Sequence, residues 1–208
     1  YLMQLERSKR MNKLQALKFV DLLELIERQK MLDVKFNEKN KNNSSLRPRN
    51  RVNTLIALNT ELGEVMQDTK KYWNYWKVNC KFDKEHTLEE ISDYLHFLLQ
   101  FIYSEDKLYD IVVDKNSEFN AQFNKELEQL ESIVKKDKNL NIENALLFLS
   151  LPITNELLGY KFEIGDIYSI FRAISIILIY LESDWQEFLK VHHSKFELNY
   201  YERTNEGY

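Results

Sequence analysis

Four Gly and two Pro in 208 residues leave this chain few places to turn sharply. Sheet proteins need frequent tight turns, which draw on Gly for positive φ and on Pro for a preset φ. With so few of either, long helices are what the sequence permits, and the expected fold class is all-α. Hydrophobic residues make up 44% of the chain, enough for a real core. At this length the expectation is a single domain over residues 1–208, with a candidate inserted helical segment around 104–140.

Apolar residues recur at helical spacing along most of the chain. Leu14, Leu17, Leu22, Leu25, Ile26 and Leu32 set a helix over 12–38, which carries Gln29, by itself an ordinary solvated residue. Residues 39–49 form an Asn- and Ser-rich loop, and Pro48 bars a helix through it. A second helix is expected from about Arg51 to Trp76, with Leu55, Leu58, Leu62, Val65 and Met66 as its apolar face. Tyr72, Trp73, Tyr75 and Trp76 end it, either as an interhelical plug or as a wall for base stacking or subunit contact. A loop over 78–86 precedes a third helix opened by Thr87. The pattern breaks near Ser104-Glu-Asp. Residues 117–136 then carry a narrow stripe of Phe119, Phe123, Leu127, Leu130 and Ile133, read as a solvent-facing helix or an inserted arm. Helices over 142–158 and 164–181 follow, with Gly159 capping the end of the first and Asp166 the start of the second.

Two acidic pairs resist a purely structural reading. Glu61-Leu-Gly-Glu64 and Glu90-Ile-Ser-Asp93 each space two acids three apart. On a helix such residues are neighbours, with about 5–6 Å between Cβ atoms. Four carboxylates converging from two helices would repel one another and be costly to desolvate. A hard divalent cation such as Mg²⁺, which prefers oxygen ligands, resolves that conflict. Glu61, Glu64, Glu90 and Asp93 are therefore candidate metal ligands at a site for phosphate chemistry. The competing readings are solvated helix faces and, for Glu90, a capping box with Thr87. His96 and Phe97 follow Asp93 by one turn, and His96 either lines the site or is a satisfied core histidine. Near the C-terminus, Lys195, Asn199 and Arg203 recur every four residues. A cation, an amide and a second cation in line suit a triphosphate, or describe an exposed terminal helix. No Walker-type glycine loop is present, so phosphate would have to be held by metal and side chains.

Other functions are disfavoured. A formal charge of −4 argues against broad nucleic-acid binding, which needs a basic face. Cys80 is alone, so neither an intrachain disulfide nor a thiolate zinc site can form. No run of about 18 apolar residues predicts a membrane span, and no signal-peptide pattern opens the chain. The expected location is cytoplasmic. Tyr1 is not an initiator Met, so a few leading residues are expected to be missing or foreign.

These residues together resemble the dimeric, all-α dUTPase family of the MazG-like NTP pyrophosphohydrolase superfamily. The superfamily carries E-x-x-E and, after a gap, E-x-x-D, here Glu61 to Glu64 and Glu90 to Asp93. Leu25-Ile-Glu-Arg-Gln29-Lys-Met-Leu-Asp33 resembles the family's N-terminal helix, and Trp73-Asn-Tyr-Trp76-Lys77 its aromatic segment. Asp93-Tyr-Leu-His96-Phe97 resembles its D-x-x-H-F, and Gly165-Asp166-Ile167-Tyr168 a later helix start. Lys195-x-x-x-Asn199 and Arg203-Thr-Asn-Glu-Gly207-Tyr208 resemble its phosphate-binding tail. The likeness runs from about Leu22 to Tyr208 and is weakest over 104–140. The family spaces the tail Asn and Arg by three, against four here, and its following Gln is Thr204.

The resemblance implies an all-α NTP pyrophosphatase bundle, a homodimer, and Mg²⁺-dependent hydrolysis of dUTP to dUMP and pyrophosphate. Such hydrolysis keeps uracil out of DNA; dUDP is a second candidate substrate. It implies two or more Mg²⁺ ions on Glu61, Glu64, Glu90 and Asp93, with Glu61 or Glu64 orienting the water that attacks the β-phosphorus. Lys195, Arg203 and Tyr208 would clamp the phosphates. Gln29 would read the uracil edge, because an amide supplies both a donor and an acceptor. Neighbours must fix its orientation, otherwise cytosine would be read as well. Trp76, His96, Phe97 and Asn199 complete the base and sugar contacts. The alternatives are the same metal chemistry on another nucleotide, such as dCTP or a damaged triphosphate, and a non-catalytic helical interaction protein.

Overall fold

The fold is that of a computed structural model in which residues 19–42, 49–114, 117–134 and 141–203 are described. Among these residues the chain is helical and contains no strand. Helix α1, Phe19–Asn40, buries Leu22, Leu25, Ile26, Gln29, Leu32 and Asp33. This stripe at helical spacing places two polar residues on the core side. The expected start at residue 12, with Leu14 and Leu17, lies outside the described residues, as does Pro48.

Helix α2, Arg51–Asp68, starts at Asn50, whose side chain accepts from the Asn53 amide at 2.9 Å. Leu55, Leu58, Leu62 and Val65 are buried, as their spacing predicts. The helix does not continue to Trp76. Thr69 breaks it, donating its hydroxyl to the Val65 carbonyl at 2.7 Å, and the Trp73 indole donates to the Met66 carbonyl at 2.9 Å. A single turn, α3 (Lys70–Trp73), follows. Asn74 ends it, its side-chain oxygen accepting from the Trp76 and Lys77 amides at 2.9 and 3.1 Å. Such local side-chain bonds compete with the helical ladder. The aromatic run therefore splits: Tyr72 and Trp73 pack on the core, while Tyr75 and Trp76 are 92% and 57% exposed.

Helix α4, Lys84–Ser104, begins three residues before the expected Thr87. Asp83 is the cap, its carboxylate accepting from the Glu85 and His86 amides at 3.0 and 3.2 Å. Thr87 is buried in the first turn and bonds back to the Asp83 carbonyl through both its amide and its hydroxyl. With the Thr87 amide inside the ladder, Glu90 has no cap to complete. The capping-box reading is thereby corrected, and Glu90 remains available to the acidic pairs.

Helices α5 (Asp106–Val113) and α6 (Glu118–Val134) follow the break at Ser104. Phe119, Phe123, Leu127 and Leu130 are buried, with the Phe123 ring 5.4 Å from Phe171, while Gln122 and Lys125 face solvent. The side chain of Ile133 lies outside the described residues. Helix α7, Ile142–Leu157, ends as its glycine predicts. Gly159 has φ +89°, its amide donates to Glu156 O and that of Tyr160 to Asn155 O, the paired bonds of a Schellman cap. Helix α8, Ile164–Tyr180, starts at Glu163 rather than at Asp166. Asp166 is the third residue of that turn and accepts from the Glu163 amide at 2.7 Å, so it serves the reciprocal half of a capping box. Helix α9, Trp185–Leu198, runs into a π-helical turn over Asn199–Arg203.

The buried apolar side chains form one contiguous cluster. Helix α4 lies within it, packed on α1, α2 and α9, and α8 packs on α6 and α7. Nearly every residue of α4 from Glu90 to Ile102 is buried. No single helix among the described residues is long and apolar enough to cross a membrane.

Candidate active site

The close packing of α2 on α4 brings the two acidic pairs face to face. One carboxylate oxygen from each of Glu61, Glu64 and Glu90 lies within 4.8 Å of the others. Asp93 stands beside this trio, paired with the ammonium of Lys195 on α9, which also donates to the Glu89 carbonyl at 3.3 Å. The electrostatics are those of crowded negative charge. Burial, then the charges of Asp93 and Glu64, pushes Glu61 up to about 7. Glu90 is raised by burial and by the approach of the Glu64 carboxyl, and Lys195 opposes both shifts. Glu90 Oε2 is buried with no hydrogen-bond partner among the described residues. An all-carboxylate donor set with an orphaned oxygen fits a hard divalent cation. On the outer side of Glu90, His86 pairs through Nδ1 with Asp68 and lies 3.5 Å from Glu90 Oε1 through Nε2.

A cavity of about 340 Å³ adjoins the acids and extends between α1, α4 and the π-helical turn. That is the size range of small-molecule sites. Gln29, Glu61, Asp93, His96, Phe97, Asn199 and Arg203 all line it. The Gln29 amide, which lines it, is held from both sides. Its nitrogen donates to Asp33 Oδ1 at 3.0 Å, and its oxygen lies 2.6 Å from His96 Nδ1. A carbonyl can only accept, so His96 carries its proton on Nδ1. His96 Nε2 is buried without a partner among the described residues, and burial pushes this histidine down to about 3, with Lys195 adding to the shift. Its ring stacks on His192 at 4.3 Å, and His192 Nδ1 is bonded to the Ser92 hydroxyl at 2.8 Å. His96 is thus both a cavity wall and a bonded core histidine, so the two sequence readings were not exclusive.

Two residues of the sequence set fall elsewhere, and a third is outside the described residues. Lys195 is on Asp93 rather than among the residues lining the cavity. Trp76 does not line it either and is largely exposed. Tyr208 lies outside the described residues. The four-residue step from Asn199 to Arg203 falls within the π-helical turn, which is wider than an α-turn, so the extra residue is taken up while both side chains line the cavity.

The structure adds residues that the sequence did not mark. Asp33, only 4% exposed, also accepts from Gln100 Nε2 at 2.9 Å, from the Tyr103 hydroxyl and from the Arg49 guanidinium at 2.6 Å. Asp33 follows Gln29 by four residues and Gln100 follows His96 by four, so helical spacing held a signal for both. Arg49 and Tyr103 carried none. A search of curated proteins found no match to the chain. A family model described as dUTPase matches residues 21–208.

Proposed function

The chain belongs to the all-α dUTPase family and hydrolyses dUTP to dUMP and pyrophosphate, and from that premise we propose the roles its residues take. Glu61, Glu64, Glu90 and Asp93 hold two or more Mg²⁺ ions. The support is the approach of three carboxylates within 4.8 Å of one another and the orphaned Glu90 oxygen. Bound there, the cations neutralise phosphate charge and polarise the phosphoryl oxygens.

Glu61 orients the attacking water and accepts its proton. It lines the cavity, whereas Glu64 does not, which favours Glu61 between the two candidates. The new bond forms from the water oxygen to the β-phosphorus. The bond from that phosphorus to the αβ-bridging oxygen breaks, and the bridging oxygen leaves with dUMP. Arg203, Lys195 and Tyr208 clamp the phosphates, with Lys195 reaching them from its place on Asp93. Gln29 reads the uracil edge in the same cavity. Phe97, His96 and Asn199 bound the base and sugar, each lining the same space.

A second copy of the chain is the proposed partner. Exposed apolar side chains on adjoining elements support this: Ile56 on α2, Leu147 and Leu151 on α7, and Tyr75 and Trp76 after α3. Patches of this kind mark association surfaces. Trp76 is assigned to that surface in place of the base contact.

One observation carries the reading: Glu61 of the acid trio lines a nucleotide-sized cavity that an oriented amide also lines. The test is pyrophosphate release from dUTP, dCTP and dTTP with Mg²⁺ and with EDTA. Turnover is expected for dUTP with Mg²⁺ alone. Equal turnover of dCTP, or full activity in EDTA, overturns the assigned roles.

A further inference from the structure

We propose that Asp33, which lines the cavity beside Gln29 and accepts from its amide, is the positioning residue that makes this cavity accept uracil and refuse cytosine. The proposal rests on Gln29 being the base reader. An amide can present its two ends in either order, and the two orders suit different bases. Uracil offers the C4 carbonyl, an acceptor, beside the N3 hydrogen, a donor. Cytosine offers an amino group beside a bare N3, the reverse at both positions. A Gln29 side chain free to turn over would serve either base.

Asp33 removes that freedom. Its ionised carboxylate only accepts, with about four lone-pair positions, and four donors occupy it: Gln29, Gln100, Tyr103 and Arg49. The guanidinium of Arg49 balances the buried charge of the carboxylate. The Gln29 nitrogen must therefore face Asp33, and its oxygen must face the Nδ1 hydrogen of His96. Turning the amide over would set its oxygen against a carboxylate, which has no hydrogen to give. That end forbids it, and the bond to His96 Nδ1 steadies the other. What remains is one amide hydrogen and one carbonyl lone pair side by side, the complement of the O4 and N3–H of uracil. Cytosine meets a donor with its amino group and an acceptor with its N3 lone pair.

The experiment measures kcat/KM for dUTP and for dCTP with Mg²⁺ in the wild type, Gln29→Ala, Asp33→Asn, His96→Leu and His96→Asn. Asp33→Asn keeps the shape but can donate, so Gln29 can turn, and the dCTP-to-dUTP ratio is expected to rise about tenfold or more, because unpaired polar groups are what reject a wrong base. His96→Leu removes the partner of the Gln29 oxygen, loosens the amide and raises the ratio by less than Asp33→Asn does, but by more than twofold. His96→Asn restores a donor near Nδ1 and returns the ratio towards the wild type. Damage to the fold alone lowers both substrates together and leaves the ratio unchanged. If Asp33→Asn does not fold, the two His96 variants decide the matter. A ratio within twofold of the wild type in both Asp33→Asn and His96→Leu, while Gln29→Ala still raises the KM for dUTP, overturns the lock and spares the base reader. An unchanged KM in Gln29→Ala overturns the base reader itself.

Discussion

Helix α4 serves two carboxylate centres built on opposite plans. At one, a single buried acid, Asp33, receives four donors, supplied by α1, by α4 and by Arg49. At the other, Glu61, Glu64 and Glu90 converge, and among the described residues the nearby basic groups are the Lys195 ammonium, already paired with Asp93, and the His86 ring, already paired with Asp68. Both centres are acidic, the first buried and the second partly open, with Glu64 exposed. Only the second is short of positive charge. A buried carboxylate with its full set of donors is a finished structural part, whereas converging carboxylates without one store repulsion that a cation relieves. Burial of acids does not by itself mark a metal site. The balance of donors and charge around them does.

The largest expected effects separate the centres by what each loses. Glu64→Gln or Asp93→Asn should lower Mg²⁺-dependent dUTP turnover by about 10²–10³-fold or more, the scale of losing a preorganised charge partner. The helical circular dichroism should stay as it is, and Glu64→Gln should not lower the melting temperature of the metal-free protein, because a neutral amide replaces a repelled acid. Full activity in either variant breaks the comparison. Asp33→Ala should do the reverse to stability. It strands four donors and should cost about 2–4 kcal/mol in urea unfolding. A loss under about 0.5 kcal/mol would mean that those donors find water, and Asp33 would not be a finished part.

Lys195→Ala is expected to be milder, raising the KM for dUTP about tenfold through loss of one charge-assisted contact, with little change in folding. Unchanged KM and kcat would reject the clamp. The pH response sharpens the contrast next. The Glu61 carboxyl lies near 7 in the folded chain, against an ordinary 4.5. A raised carboxyl stabilises the fold fully below the lower value, and that contribution disappears as pH climbs through the higher one. Metal-free protein should therefore melt lower at pH 8 than at pH 5 on account of this cluster. Added Mg²⁺ should raise the melting temperature more at pH 8 than at pH 5. Scanning calorimetry with Mg²⁺ or EDTA at both pH values reads this, and an equal Mg²⁺ response at the two would sink it.

Much of this was legible in the residues. The apolar stripes of α1, α2 and α6 and the glycine end of α7 followed from periodicity and from one backbone conformation, both local properties. The acidic pairs were visible because three-residue spacing fixes them to one helix face. Errors arose where a side chain redirected the backbone. Thr69 and Asn74 ended helices that the apolar pattern would have continued, and Asp83 began one earlier than Thr87. The Asp33 centre was not legible as a whole. Its partners come from residues 29, 49, 100 and 103, and only packing of α1 on α4 brings them together. Lys195 was read as a phosphate ligand from spacing along its own helix, and nothing there announced Asp93 as its neighbour.

The smallest effect tests whether the two centres are independent. Asp83 caps the helix that carries Glu90, Asp93, His96 and Gln100, accepting from the amides of Glu85 and His86. Asp83→Ala removes that cap and should cost about 1 kcal/mol of stability. The loss reaches the centres alike, because both ride on one rigid helix whose later turns are held by the core. The Mg²⁺ concentration for half-maximal activity and the dCTP-to-dUTP ratio should both remain at wild-type values while the melting temperature falls. If either moves, the geometry of that centre depends on how the helix begins. The contrast between a saturated and an unsaturated carboxylate would then be a property of α4 as a whole, and not of the partners each acid has.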